Sequence, residues 1–529
     1  MSAVNKIFSK VPVDIPNRSG FDCSHENLFT AKCGTLVPIL CNELLPNDKV
    51  TLGISSQIQL PPMASDFYGR VRGKFEAFFV PNRILYRGWQ RFITKRDMDV
   101  DYMSNVYIPG VQLTASSSFN TKFSAGTLAD YLGFKVRKPA GGFQTGDKYT
   151  IDNVLPFLAY QKIYDDWYRD SRITSSLFAD DEPSDMGLMA AYMPNVAITS
   201  SSDRFISDTL ADGSSLFDLR QRCFARDYFT NATTSPQVGT GSSLSFDVDV
   251  QGEEGSFSIA SLRAANSLQK WLERNNLAGQ RYSDQIRAQF GCYPADAVTD
   301  RAIYLGSQSV DVYNKSVYLD HPDQDVTQDR NPFNNTGAKF SSPLAVGTGS
   351  LVDSFTATEH GFLFVFFSLV PDILYGTGCH KMFGRKSIAD FAFPLLAGVG
   401  DQEINDFELV GQYPNTPNNV FGYTQRFSEY KFCLDEVHGL LRSGESLEHF
   451  ALDSSFPLGA YLSTEFVEIP TDYLDDVTAM ADAMSDYGCW ADVFFNYKKS
   501  SVLPAYSIPT LGDERDTHVE IIPNGGTRL

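Results

Sequence analysis

The sequence predicts a mainly β protein: one antiparallel sandwich closed by both ends of the chain, with large mixed α and loop insertions between its strands. Three observations predict it. Residues 34–80 hold three strand-like runs joined by short turns, apolar runs return at 359–370 and near the C-terminus, and the long middle mixes helical periodicity with aperiodic polar stretches.

The first runs give the clearest pattern. In KVTLGISSQIQL, Val50, Leu52, Ile54, Ile58 and Leu60 share one face, and Lys49, Thr51, Ser55, Gln57 and Gln59 share the other. That is the period of a half-buried strand. GTLVPILCNELL precedes it and YGRVRGKFEAFFV follows, across turns carrying Pro46-Asn47-Asp48 and Pro61-Pro62. In the third run Val71, Phe75, Ala77 and Phe79 face one way, and Arg70, Arg72, Lys74 and Glu76 the other. A charged outer surface is expected there. Pro81 then ends the ladder.

Helical spacing appears next. Phe157, Tyr160, Tyr164 and Trp167 recur in LPFLAYQKIYDDWY; Ile259, Leu262, Leu268 and Leu272 follow, then Tyr282, Ile286 and Phe290. Residues 231–256 and 307–354 lack any period and read as long loops. EHGFLFVFFSLV (359–370) reads as a strand buried on both faces. Further strands are expected around 421–434 and at CWADVFFNYKK, and a helix over 472–485 carrying Leu474, Val477, Ala481 and Met484.

The net charge of −20 is uneven, mildly basic over the first hundred residues and strongly acidic after Asp401. A chain that coats nucleic acid unaided needs clustered cations, so any such role is local or shared with a basic partner. No apolar stretch reaches the roughly twenty residues of a membrane span. The N-terminus shows no secretory h-region, so a cytoplasmic site of synthesis and use is expected. The eight cysteines have no metal-knuckle or redox spacing and read as reduced packing residues.

The chemistry of an enzyme is missing: there is no GxSxG, phosphate-cradling loop or HExxH. His25, between Ser24 and Glu26, and His360, after Glu359, read as structural or interface histidines. Asp475-Asp476 and Asp180-Asp181-Glu182 read as solvated charge. No catalytic residue, cofactor or metal is expected. The sharper signal follows Pro81 and Asn82. In a helix over 82–96, Arg83, Arg87, Arg91 and Lys95 form one stripe beside Leu85, Trp89 and Phe92 or Ile93, with no acid before Asp97. The stripe is a solvated face, an intersubunit surface or a phosphate contact.

Nine collinear motifs give the chain a family resemblance. They are FDCSH (21–25), GTLVPILCNELLPND (34–48), FFVPNR with its downstream Trp (78–89), GTLADYLGF (126–134), LPFLAYQKIYDDWYRD (155–170), DYFT with SPQ (227–237), LQKWLERNNLAGQRYSDQIRAQFG (268–291), EHGFLFVFFSLV, and DVFFNYKK with LPAYSIP (492–509). The sequence resembles the major capsid protein of the Microviridae, most closely the gokushovirus branch. The residues carrying the motifs include Phe21, Asp22, Ser24, His25, Pro81, Asn82, Trp89, Glu359, His360 and Gly361. Cys23 departs from the family's usual Leu, and the tail past Pro509 is longer and more polar.

The resemblance implies an eight-stranded antiparallel viral jelly roll, with residues 34–81 as strands B to D, 359–370 as strand F and the DVFFNY run as strand I. It implies one capsid domain: an N-terminal arm at 1–33, insertions over 82–358, closing strands over 359–500 and a tail at 501–529. It further implies self-association of sixty copies into a T=1 shell around a circular single-stranded DNA genome, in a virion assembled in the bacterial cytoplasm. The implied partners are a small basic DNA-condensing protein, pilot and scaffolding proteins, and a host cell-surface receptor reached by a protrusion in 231–256 or 307–354. No membrane is implied. A jelly-roll cell-surface or carbohydrate-binding module is the alternative.

Overall fold

A computed structural model describes residues 18–63, 67–86, 88–94, 107–114, 122–135, 148–178, 204–235, 282–291, 300–314, 343–398, 400–411, 419–454, 460–479 and 482–503, with shorter runs between and beyond them. Eight strands make the sandwich. In chain order they are β1 (His25–Ala31), β2 (Val37–Leu44), β3 (Lys49–Gln59), β4 (Val71–Pro81), β5 (Ile303–Asp311), β6 (Leu344–Thr356), β7 (Gly361–Pro371) and β8 (Cys489–Ser501). The first sheet runs β6-β3-β8-β1 and the second β2-β7-β4-β5, with every one of these pairings antiparallel. Apart from β4 and β5, which pair in the second sheet, successive strands cross between the two sheets, the mark of a jelly roll. A short strand, Ser19–Asp22, prolongs the β1 edge along the far end of β8.

The period-two reading of β3 holds. Val50, Leu52, Ile54 and Ile58 are buried, and they meet Phe75, Ala77 and Phe79 of β4 and Val493, Phe495 and Tyr497 of β8 between the sheets. Each such side chain removed from water contributes about 1.5–3 kcal/mol.

The outer face of the second sheet departs from expectation. Arg72 pairs with Asp372 and Glu76 with Arg222, and the β4 residues Phe78 and Val80 on that face are buried. They join Phe362, Phe364 and Phe366 of β7 in a second core beneath the insertion. The insertion holds helices α1 (Asn82–Leu85) and α2 (Trp89–Thr94), a short helix at Leu128–Tyr131, and the helix named α3 here (Leu155–Ile163). Tyr160 of α3 lies 5.4 Å from the Phe366 ring, and its hydroxyl donates to the Leu36 carbonyl at 2.9 Å. With a core on each side, β7 is buried throughout, as its unbroken apolar run requires.

Four sequence expectations need correction. Lettered B to I in chain order, the strands of residues 34–81 are C, D and E, and residues 361–371 are H; only I stays as expected. The shift arises because B lies in residues 25–31, inside the segment expected to be an arm. Residues 307–354 are not one long loop, since β5 and β6 run through them. They read as loop because they are polar sheet edges rich in glycine. A Cβ on Gly306 would lie 2.3 Å from the Leu351 carbonyl oxygen, and one on Gly347 would lie 2.5 Å from Val310 Cγ2. Glycine therefore marks where the two sheets close on each other.

The third correction concerns 472–485, which forms two short turns, Asp475–Val477 and Ala483–Asp486, instead of one helix. Asp482 sits at φ 56°, and the Asp475 carboxylate accepts the Met484 N–H at 2.7 Å. Leu474, Val477 and Met484 are still buried, which explains the misleading period. The fourth is residues 82–96, where α1 and α2 are separate and the chain between them is extended at Tyr86. Of the predicted helix over 259–272, only scattered residues are described; Tyr282–Phe290 is helical as expected.

Candidate assembly surfaces

Seven of the candidate residues meet where β4 hands over to the insertion. Pro81 ends β4 opposite Gly361, which opens β7. A Cβ at Gly361 would come within 2.4 Å of the Val80 carbonyl oxygen, so this pairing needs glycine. The Asn82 N–H donates to the His360 carbonyl at 2.9 Å, carrying the chain off the sheet into α1. Arg83 Nε donates to Glu359 Oε2 at 3.2 Å, and its Nη1 to Asp300 Oδ1 at 2.5 Å. Trp89 packs edge-on to His360, with ring centroids 5.7 Å apart, and against the second core.

This corner docks the insertion on the sandwich, and Arg83 is part of the dock. Its acidic partners come from two distant segments, which is why the sequence near Arg83 shows none. Arg87 and Lys95 lie outside the described residues, as does the side chain of Arg91.

The FDCSH residues form a different structure. Phe21 and Asp22 pair with Lys499 and Lys498, and His25 pairs with Phe495. Between the two pairings Asp22 Oδ1 accepts the Ser24 N–H at 3.1 Å and its hydroxyl at 2.5 Å. Those bonds hold the Asp22 carboxyl below its ordinary pKa. Ser24 Oγ in turn accepts the Tyr497 N–H at 3.2 Å, and His25 Nδ1 lies 2.9 Å from the Cys23 carbonyl oxygen. The motif is a side-chain-bonded step that keeps two strand segments in register along β8.

Asp180, Asp181, Glu182 and Cys292 lie outside the described residues, and Asp475, read as solvated charge, instead accepts the Met484 N–H. Cys33 and Cys489 are buried free thiols, and Cys433 is exposed. Among the described residues no group of three or more His, Cys, Asp or Glu could hold a metal ion. No helix there is long and apolar enough to cross a membrane.

Sequence reasoning missed the most exposed apolar feature. Residues 381–398 form short 3₁₀ turns that present Met382, Phe383, Ile388, Phe391, Phe393 and Leu395 to solvent. Leu395 is 91% exposed, Ile388 79% and Phe383 76%. The ridge is braced from below: Arg385 stacks over Phe391 and Tyr430 and pairs with Glu429 at 3.3 Å, and Asp390 accepts the Ser387 N–H at 2.7 Å. Contiguous apolar surface held out in this way marks a protein–protein contact. Lacking strand or helix periodicity, the segment gave no sequence signal.

Comparison with known proteins agrees with this picture. The family model described as capsid protein (F protein) matches residues 9–251 and 195–511. Capsid protein VP1 of Chlamydia phage 1 is 26% identical, covering 96% of this chain and 98% of that protein. VP1 of Bdellovibrio phage phiMH2K is 25% identical over 95% of this chain and 97% of its own. VP1 of Spiroplasma virus 4 is 22% identical over 93% and 95%. A jelly-roll core, a docked insertion and a braced apolar ridge are the parts of a subunit made to contact others, and the chain belongs to the capsid protein (F protein) family, among the gokushovirus-like major capsid proteins of the Microviridae.

Proposed function

We propose that the protein self-assembles, about sixty copies to a T=1 icosahedral shell, around a circular single-stranded DNA genome. The observation that carries this is the 381–398 ridge, whose exposed Phe383, Ile388 and Leu395 are costly in a monomer and favourable once a neighbouring subunit covers them. The chain is a structural component with no turnover of its own. The chain closes the shell by itself, and its acidity calls for a small basic partner to bring in the genome, because DNA and a −20 chain repel each other. Pilot and scaffolding proteins join it in the bacterial cytoplasm, and an insertion contacts the host receptor. Arg87, Arg91 and Lys95 serve at a subunit contact or on the genome, whereas Arg83 is engaged by Glu359 and Asp300.

The test is a ridge variant, Phe383→Asp with Leu395→Asp. Wild-type protein should form uniform particles in negative stain, and the variant should remain a folded monomer with an unchanged circular dichroism spectrum. Particles from the variant at wild-type yield would contradict the reading. In the same system, Arg87→Glu with Arg91→Glu should lower particle yield or genome content; normal, full particles would remove the stripe from the account.

A further inference from the structure

The 381–398 ridge rises from the rim of an open hollow of about 290 Å³. The hollow is lined with rings: Tyr228 lies 5.0 Å from Phe432 and Phe229 lies 5.0 Å from Tyr375, centroid to centroid, with Leu434 and Val437 beside them. Its charged groups already have partners within the chain. Glu408 accepts from Lys381 at 2.9 Å and from the Tyr228 hydroxyl at 2.8 Å. Glu429 accepts from Gln402 at 2.6 Å and from Arg385 at 3.3 Å, and Arg442 donates to the Gly376 carbonyl at 2.6 Å. What remains for a guest is aromatic face and aliphatic carbon. A cavity of about 150 Å³ holds benzene, so this hollow admits a large apolar side chain.

The ridge of the same chain is held away from it. Lys381, the ridge's root, is itself part of the rim. Further along, Arg385 stacks over Tyr430, and Arg426 donates to the Ala389 carbonyl at 3.1 Å. Charge then separates the remaining arrangements. The ridge carries Lys381, Arg385 and Lys386 against Asp390. The wall at 431–448 carries Asp435, Glu436, Glu445 and Glu448 against Lys431 and Arg442. Lys386, Asp435, Glu445 and Glu448 are exposed. Ridge against ridge sets like charges together, whereas ridge against hollow sets cations on acids.

We propose that the ridge of one copy enters the hollow of the next, with Leu395 as the inserted side chain. An apolar anchor filling a pocket inside a polar rim is the anatomy of a strong contact. Because it joins two different surfaces, the contact repeats head to tail and closes copies into a ring about an axis of order higher than two. The inference rests on the ridge being a subunit contact and goes beyond it by naming the surface that receives it.

The test uses Cys433, which lines the hollow and is exposed in the single chain. Leu395→Cys puts a thiol on the ridge, and mild oxidation of its particles should link it to Cys433 of the partner subunit. Denaturing gels should then show a ladder of linked chains that ends at the number of copies in the ring. Adding Cys433→Ser should abolish the ladder. Cys433→Trp, which fills the hollow, should lower particle yield about tenfold or more while circular dichroism shows a folded chain. Linked dimers that persist with Cys433→Ser would mean ridge against ridge and overturn the proposal. Particles that give no link, because another occupant or none fills the hollow, overturn it too, as does full yield from Cys433→Trp. Each of these leaves the ridge contact standing. Wild-type yield from Phe383→Asp with Leu395→Asp removes the ridge and the hollow together.

Discussion

Arg222 lies on the outer face of β4 with its guanidinium on the Glu76 carboxylate: Nη2 donates to Oε1 at 3.3 Å, and Nη1 donates to Oε2. Tyr168 donates to the same carboxylate at 2.6 Å, and Arg222 also reaches Ser368 on β7 at 3.2 Å. One half-buried ion pair thus ties two sandwich strands to the chain that returns from the insertion. Arg222→Met leaves the half-buried Glu76 carboxylate without its cation, held only by Tyr168, and should cost about 1–3 kcal/mol in urea unfolding. The double variant with Glu76→Met should recover most of that loss. A single-variant loss below about 1 kcal/mol would show that solvent reaches the pair.

The closed edge of the sandwich admits no side chain at Gly306 or Gly347. Gly306→Ala pushes a Cβ against the Leu351 carbonyl oxygen, backbone that cannot swing away. A loss of about 1–3 kcal/mol is expected. Alanine at Gly398, where a Cβ meets nothing within 4 Å, should be close to neutral and serves as the control.

Acid should loosen the region around Asp170. Burial pushes its pKa up, but the Arg172 guanidinium and amide, bonded at 2.6–3.0 Å, outweigh burial and leave it below the ordinary carboxylate value. A depressed folded value means stability that is complete above about pH 4 and lost as pH falls through the folded pKa. Asp170→Asn should therefore cost about 1–3 kcal/mol at pH 7, with the gap to wild type shrinking in unfolding curves below pH 4. A gap that persists unchanged to pH 2 would contradict the assignment.

Thiol labelling should separate the cysteines by burial. Cys433 is exposed and should react with a disulfide reagent in the native protein. Burial pushes Cys41 and Cys489 up to about 12 and raises Cys33 further from reactivity. Cys33 and Cys489 should label only on unfolding; rapid native labelling of either would mean that the sandwich opens.

Much of the fold was legible where one face of a strand met the core and the other met water, as in β3. It was legible again where a strand was buried on both sides, as in β7. The edges were not. β5 and β6 are polar and rich in glycine because they close the sandwich backbone to backbone, and glycine in a polar run reads as loop. The charged face of β4 misled in the opposite sense, since Glu76 and Arg72 suggest solvent but their partners, Arg222 and Asp372, arrive from more than a hundred residues away. Of the candidate site, the motif residues from Pro81 to Trp89 and from Glu359 to Gly361 converge on one corner. The exposed ridge stayed hidden because accessibility, unlike periodicity, leaves no mark on spacing.

The most direct test of the central claim is the mass of the purified, expressed protein in solution, by native mass spectrometry or mass photometry. The account predicts a closed particle of about sixty chains of 58.8 kDa, with few intermediates between it and free subunits. A sample that remains at the mass of one chain at every concentration, with the sandwich folded, would contradict it.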